Sequence, residues 1–75
     1  MDDNEIRFRK LLGARIQELR QVKGLTQPQL AALIGFKDYQ SLARIENGRV
    51  TTSVYNIYQI AQALTVTIEE LFNFK

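Results

Sequence analysis

Neither cysteine nor histidine occurs in this chain, and proline occurs once. The first two absences together remove the thiol nucleophile, the commonest general base and the commonest zinc ligands. They weigh against an enzyme and leave no cofactor or metal site to expect. Without cysteine no disulfide reinforces a small core, so close packing of helices has to suffice, and a reducing cytoplasm fits that composition. Long apolar runs are missing as well. The longest, "LAALIGF", falls far short of the ~20 residues of a membrane span. The opening "MDDNEIRFRK" is too polar for a secretory signal, so no membrane partner is expected. The adjacent carboxylates Glu69 and Glu70 point ~100° apart on a helix, the wrong arrangement for a cooperating catalytic pair.

What is present reads as a single globular domain over residues 1–75, with 45% hydrophobic and 24% charged residues. The net charge of +2 hides an uneven distribution. Residues 6–49 hold nine Lys or Arg against Glu18, Asp38 and Glu46, a net +6, whereas residues 1–5 and 50–75 are net −3 and −1. Such a basic block either faces an acidic partner or is simply solvated.

Phe8, Leu12, Ile16 and Leu19 recur at spacings of three and four, which predicts a helix from Glu5 to about Val22, closed by Gly24. Thr26, three residues before Gln29, makes a capping-box pattern with Pro28 harmless in the first turn. The helix it opens carries Leu30, Leu33 and Ile34 and ends at Gly35. Asp38 or a neighbour caps a third helix, with Leu42 and Ile45 inward, which stops at Asn47-Gly48. After the polar turn "NGRVTTS", Thr52 or Ser53 opens a fourth helix with Val54, Ile57, Ile60, Ala61 and Leu64 as its apolar positions. Thr67 with Glu70 opens a fifth. No strand alternates convincingly, so the expected fold is all-α: a compact five-helix domain containing a helix-turn-helix at about residues 26–47.

The third helix, at about residues 38–47, carries a stripe that a core has no use for. At about 100° per residue, Gln40, Ala43, Arg44 and Asn47 share one side, roughly opposite Leu42 and Ile45. A helix fits the major groove of B-DNA, and the second helix of a helix-turn-helix presents its outer face there. Gln40 matches adenine N7 and N6 as a bidentate pair, or is a solvated amide. The fork of Arg44 suits guanine O6 and N7, or a phosphate. Ala43 permits close approach to a thymine methyl, or is a plain helix former.

Tyr39 either meets the sugar-phosphate backbone or fills the turn against Phe36. Lys37 is a phosphate partner or a solvated lysine. Gln27 stands at the N-terminus of the second helix, where free N–H groups and the helix dipole favour an anion, and is read as a phosphate contact over a local cap. Arg49 and the amides of Asn47 and Gly48 are read the same way, because that turn lies where a DNA backbone would pass. Glu46 shares the inward angle of Leu42 and would be costly there without a partner. Arg7, Arg9, Lys10 and Arg15 receive no site. Leu71 and Phe72 are expected in the core, while "LFNFK" leaves apolar side chains that suit a homodimer.

Taken together, "LGARIQELRQVKGLTQPQLAALIGF", "SLARIENGR" and "IYQIAQALTVTIEELF" resemble the phage repressor and Cro type of helix-turn-helix domain, the XRE family, from about Leu12 to Phe72. The resemblance implies a repressor-like, usually dimeric domain that binds double-stranded operator DNA as a transcriptional regulator. It places the protein in the cytoplasm of a prokaryotic cell, native or phage-encoded, at the nucleoid. It further implies that Gln27 contacts the DNA backbone, that Tyr39, Gln40, Ser41 and Arg44 read bases, that Asn47 and Arg49 meet phosphates, and that Arg20 pairs with Glu46. Two features depart from the family pattern. Gly35 to Glu46 is one residue longer than the commonest spacing, so the turn "GFKDYQ" carries an insertion, and Thr52 stands where many relatives have Pro. The alternative function is an antitoxin-like component that neutralises a small protein partner and binds DNA for autoregulation.

Overall fold

Short polar side chains set where the helices begin. In the computed structural model, which describes residues 2–74, helix α1 spans Asp3–Val22 and is opened by Asp2, whose carboxylate accepts from the Glu5 amide at 2.7 Å. It therefore starts two residues before the apolar period alone suggests. Helix α2, Gln27–Leu33, opens with a reciprocal capping box. The Thr26 hydroxyl accepts from the Gln29 N–H at 3.2 Å, and Gln29 Oε1 accepts from the Thr26 N–H at 2.9 Å, which satisfies two donors that the helix itself leaves free. Helix α3 is Gln40–Glu46. Helix α4, Val54–Ala63, is capped by Ser53, and the short α5, Ile68–Leu71, by a second box between Thr67 and Glu70.

All five helices contribute to one core. Leu12 and Ile16 of α1 meet Leu30 and Ala31 of α2, Leu42 and Ile45 of α3, Ile57, Ile60 and Ala61 of α4, and Leu71 of α5, with Ile34 and Leu64 at helix ends. Ile16, Leu30, Leu42, Ile60, Leu64 and Leu71 are fully enclosed, each contributing roughly 1.5–3 kcal/mol of apolar burial. Several residues expected inside are not. Leu33 is 61% exposed, because it lies about 110° around α2 from the direction shared by Leu30, Ala31 and Ile34. Val54 is 86% exposed, since it forms the first residue of α4, ahead of the packed turns. Phe72 also stays at the surface, where its ring meets those of Phe8 and Phe74 at centroid distances of 6.0–6.1 Å.

Helix α1 is the spine that α3 and α5 lie against. It crosses the C-terminus of α3 at Gly13, where any Cβ would overlap the carbonyl oxygens of Ile45 and Glu46. On its other side Arg15 donates from Nε to the Glu70 carbonyl at 3.0 Å and pairs with Glu18 at 2.9 Å, which ties α1 to the end of α5. Among the described residues no helix is long and apolar enough to cross a membrane.

Candidate nucleic-acid interface

What holds α3 is a charged cluster beneath it. Glu46 is only 4% exposed and Arg20 8%, so each needs the other to remain charged at low cost. Arg20 Nε donates to Glu46 Oε2 at 2.8 Å and Nη2 to Oε1 at 3.2 Å, while Nη1 reaches the Leu25 carbonyl at 2.8 Å. Gln27 completes the group by donating from Nε2 to Glu46 Oε1 at 3.0 Å. The late turns of α1, the turn before α2, the first residue of α2 and the last of α3 are thereby locked together by charge-assisted hydrogen bonds. This alters the reading of Gln27. Its side-chain amide nitrogen donates internally to Glu46, so Gln27 is in part a structural residue.

Above this anchor the stripe faces out. Tyr39, Gln40, Arg44 and Asn47 are exposed, and Ser41 and Ala43 are half-buried at its edge, while Leu42, Ile45 and Glu46 point down. Asp38 closes the N-terminus of α3 by accepting from the Gln40 amide at 2.9 Å, which turns its carboxylate toward the helix. Tyr39 and Lys37 flank a shallow depression whose other wall is Pro28, Ala31 and Ala32 of α2, with Phe36 packed against the core. Lys37 is exposed.

The turn after α3 departs from expectation. The amides of Asn47, Gly48 and Arg49 already donate to the carbonyls of Ala43, Ile45 and Arg44 at 2.9–3.1 Å. As in other helix C-termini ending on a left-handed residue, they close the helix and are not free for an anion. Gly48, with φ +72°, is buried against α1. What this turn offers a ligand is the side chains of Asn47 and Arg49, both exposed. Sequence patterns gave no signal for the Gln27–Glu46 bond or for the burial of Gly48, since both depend on residues far away in the chain.

Comparison with known proteins agrees with this architecture. The helix-turn-helix family model matches residues 16–71. An HTH-type transcriptional regulator of Sinorhizobium fredii is 44% identical over 64 residues, 85% of this chain and 82% of that protein. The control protein C.MunI of a Mycoplasma species is 36% identical over 97% of this chain and 93% of its own length. Among solved structures, the restriction-modification controller protein C.AhdI of Aeromonas hydrophila superposes with a TM-score of 0.79 at 39% identity, covering 83% of this chain and 92% of that one. The chain belongs to the helix-turn-helix family of DNA-binding transcriptional regulators. Regulation through DNA is thus favoured over the protein-neutralising alternative, whose partner none of these names suggests.

Proposed function

We propose that the whole chain acts as one DNA-binding domain that sets α3 into the major groove of an operator and regulates transcription in the cytoplasm. The observation that carries this reading is the division of α3 into two faces. Glu46, Leu42 and Ile45 are held from below, while Tyr39, Gln40 and Arg44 stand outward beside Ser41 and Ala43. In this reading Gln40 and Arg44 read base edges, Ala43 gives close approach, and Tyr39 and Ser41 contact the groove wall or adjacent bases. Lys37, Asn47, Arg49 and the Gln27 end of α2 hold phosphates.

The protein works as a homodimer in this proposal. Its Cα extents of 32 × 24 × 20 Å compare with the roughly 34 Å between successive major grooves on one side of B-DNA, so two copies side by side span adjacent half-sites. The outer face of α4 is the flank best placed for that pairing. Val54, Tyr55 and Tyr58 are exposed there, Tyr55 and Tyr58 lie 6.4 Å apart, and α4 directly follows the turn that meets the DNA backbone. The Phe8, Phe72 and Phe74 cluster is less suited. Its three rings already pack on one another at centroid distances of 6.0–6.1 Å, so part of their apolar surface is covered within one copy.

Selection from random duplexes at stated salt tests the function. A single enriched operator with two related half-sites about 10 base pairs apart is expected. Because two relatives are control proteins, one of a restriction-modification system, duplexes upstream of such genes belong in the same assay. Enrichment of no sequence above random would refute sequence-specific binding.

A further inference from the structure

One basic side chain outside the helix-turn-helix unit lies against the DNA-facing turn. Lys10 of α1 covers Gly48: a Cβ on Gly48 would stand 2.9 Å from both Cα and Cγ of Lys10. The stem of Lys10 therefore crosses the turn between Asn47 and Arg49, while the residue as a whole remains exposed. Helix α1 is fixed to the same region on either side of Lys10. Toward its C-terminus Gly13 abuts the last carbonyls of α3. Toward its N-terminus the Glu5 carboxylate accepts from the Thr51 hydroxyl at 3.0 Å. Among the described residues no acid pairs with Lys10.

We propose that Lys10 is a DNA-backbone contact, so that α1 and the turn after α3 together form a two-sided phosphate clamp in which Lys10 stands beside Arg49 and Asn47. This rests on the DNA-binding reading above. A duplex seated on the outer face of α3 has a sugar-phosphate strand passing the C-terminal end of that helix, where the last carbonyls leave partial negative charge. An anion there needs a cation supplied from another element, and α1 delivers one. Because the contact is to phosphate, it adds affinity and orientation without base preference. The close fit of Gly48 under Lys10 makes the turn and α1 move as one body.

The test measures the dependence of binding on salt. Each phosphate neutralised contributes about 0.9 to the slope of log K against log salt. Lys10→Gln keeps most of the stem that packs on Gly48 and removes the charge, and Lys10→Met does the same with a different head. Both are expected to lower the slope by about 0.9 on the selected operator and on random duplex alike, leaving the ratio between them unchanged. Lys10→Arg is expected to keep the wild-type slope. Lys23→Ala, which removes a charge near Glu70 on the α5 side, is expected to leave it unchanged. Thermal unfolding of each variant verifies that it is folded at the assay temperature. A wild-type slope in folded Lys10→Gln and Lys10→Met, or a loss no larger than that of Lys23→Ala, overturns the inference while leaving the DNA-binding reading intact. Absence of salt-dependent duplex binding by the wild-type chain overturns both.

Discussion

Individual residues here divide into those that hold α3 and those it presents. Arg20 and Glu46 belong to the first group, and removing either leaves the other charge buried without its partner. Arg20→Ala is expected to cost about 3–5 kcal/mol in urea unfolding, and joint replacement of both by apolar residues is expected to cost much less than the two single losses combined. Gln27 belongs to the first group through Glu46 and, under the proposed function, to the second. Its bond to Glu46 predicts that Gln27→Ala loses about 1 kcal/mol of stability as well as affinity for every duplex. Gln40 and Arg44 take no part in that anchor. Gln40→Ala and Arg44→Ala are expected to lower affinity for the operator by about 1–3 kcal/mol more than for random duplex, with unfolding midpoints near wild type. Arg49→Ala is expected to weaken both duplexes together and to reduce the salt slope by about 1. Fluorescence anisotropy over a salt series separates the two patterns.

Among the elements, α2 and α5 are short and depend on their first turns. A seven-residue helix and a four-residue helix gain little from cooperative propagation, so Thr26→Ala and Thr67→Ala are each expected to cost about 1 kcal/mol. The α5 cap also carries a pH dependence. The Glu70 carboxyl is held below its ordinary value chiefly by the backbone N–H of Thr67, with the Thr67 hydroxyl, Arg15 and Lys23 adding to this and desolvation opposing it. A carboxylate with a depressed folded value contributes its full stabilisation above the ordinary glutamate range and loses it as the pH falls through that lower value. The wild-type unfolding midpoint should thus exceed that of Glu70→Gln at neutral pH, with the difference shrinking under acid. The junction of α1 with α3 is governed by glycines. Gly48→Ala combines a left-handed φ with contact on the Lys10 backbone, so it should lower stability and displace α1 from the turn.

At the scale of the whole molecule, the Cα extents of 32 × 24 × 20 Å are close to one turn of B-DNA, and under the proposed function affinity for a two-part operator depends on the pairing of copies. Tyr58→Glu, on the exposed side of α4, is expected to shift the protein toward monomer in sedimentation. It should weaken binding to the full operator more than to a single half-site, and its unfolding midpoint should lose the dependence on protein concentration that dimerisation gives the wild type. Phe8→Glu, in the phenylalanine cluster, is expected to leave the oligomeric state unchanged. A reversal of these two outcomes would move the interface to the phenylalanine cluster.

Every helix was legible in the amino-acid order because its signals are local. A cap acts on the amide three residues on, as Thr26 does on Gln29 and Thr67 on Glu70, and an apolar stripe repeats within a turn. The outward stripe of α3 was legible for the same reason. Tertiary structure alone decided the rest, because those contacts join residues that the chain separates. Gln27 reaches Glu46 across 19 positions, Thr51 reaches Glu5 across 46 and Arg15 reaches Glu70 across 55. Whether an amide is free for a phosphate, whether Gly48 has room for a methyl group, and which basic residue of α1 stands beside the turn depend on how the helices cross, and periodicity within one helix contains no information about crossing.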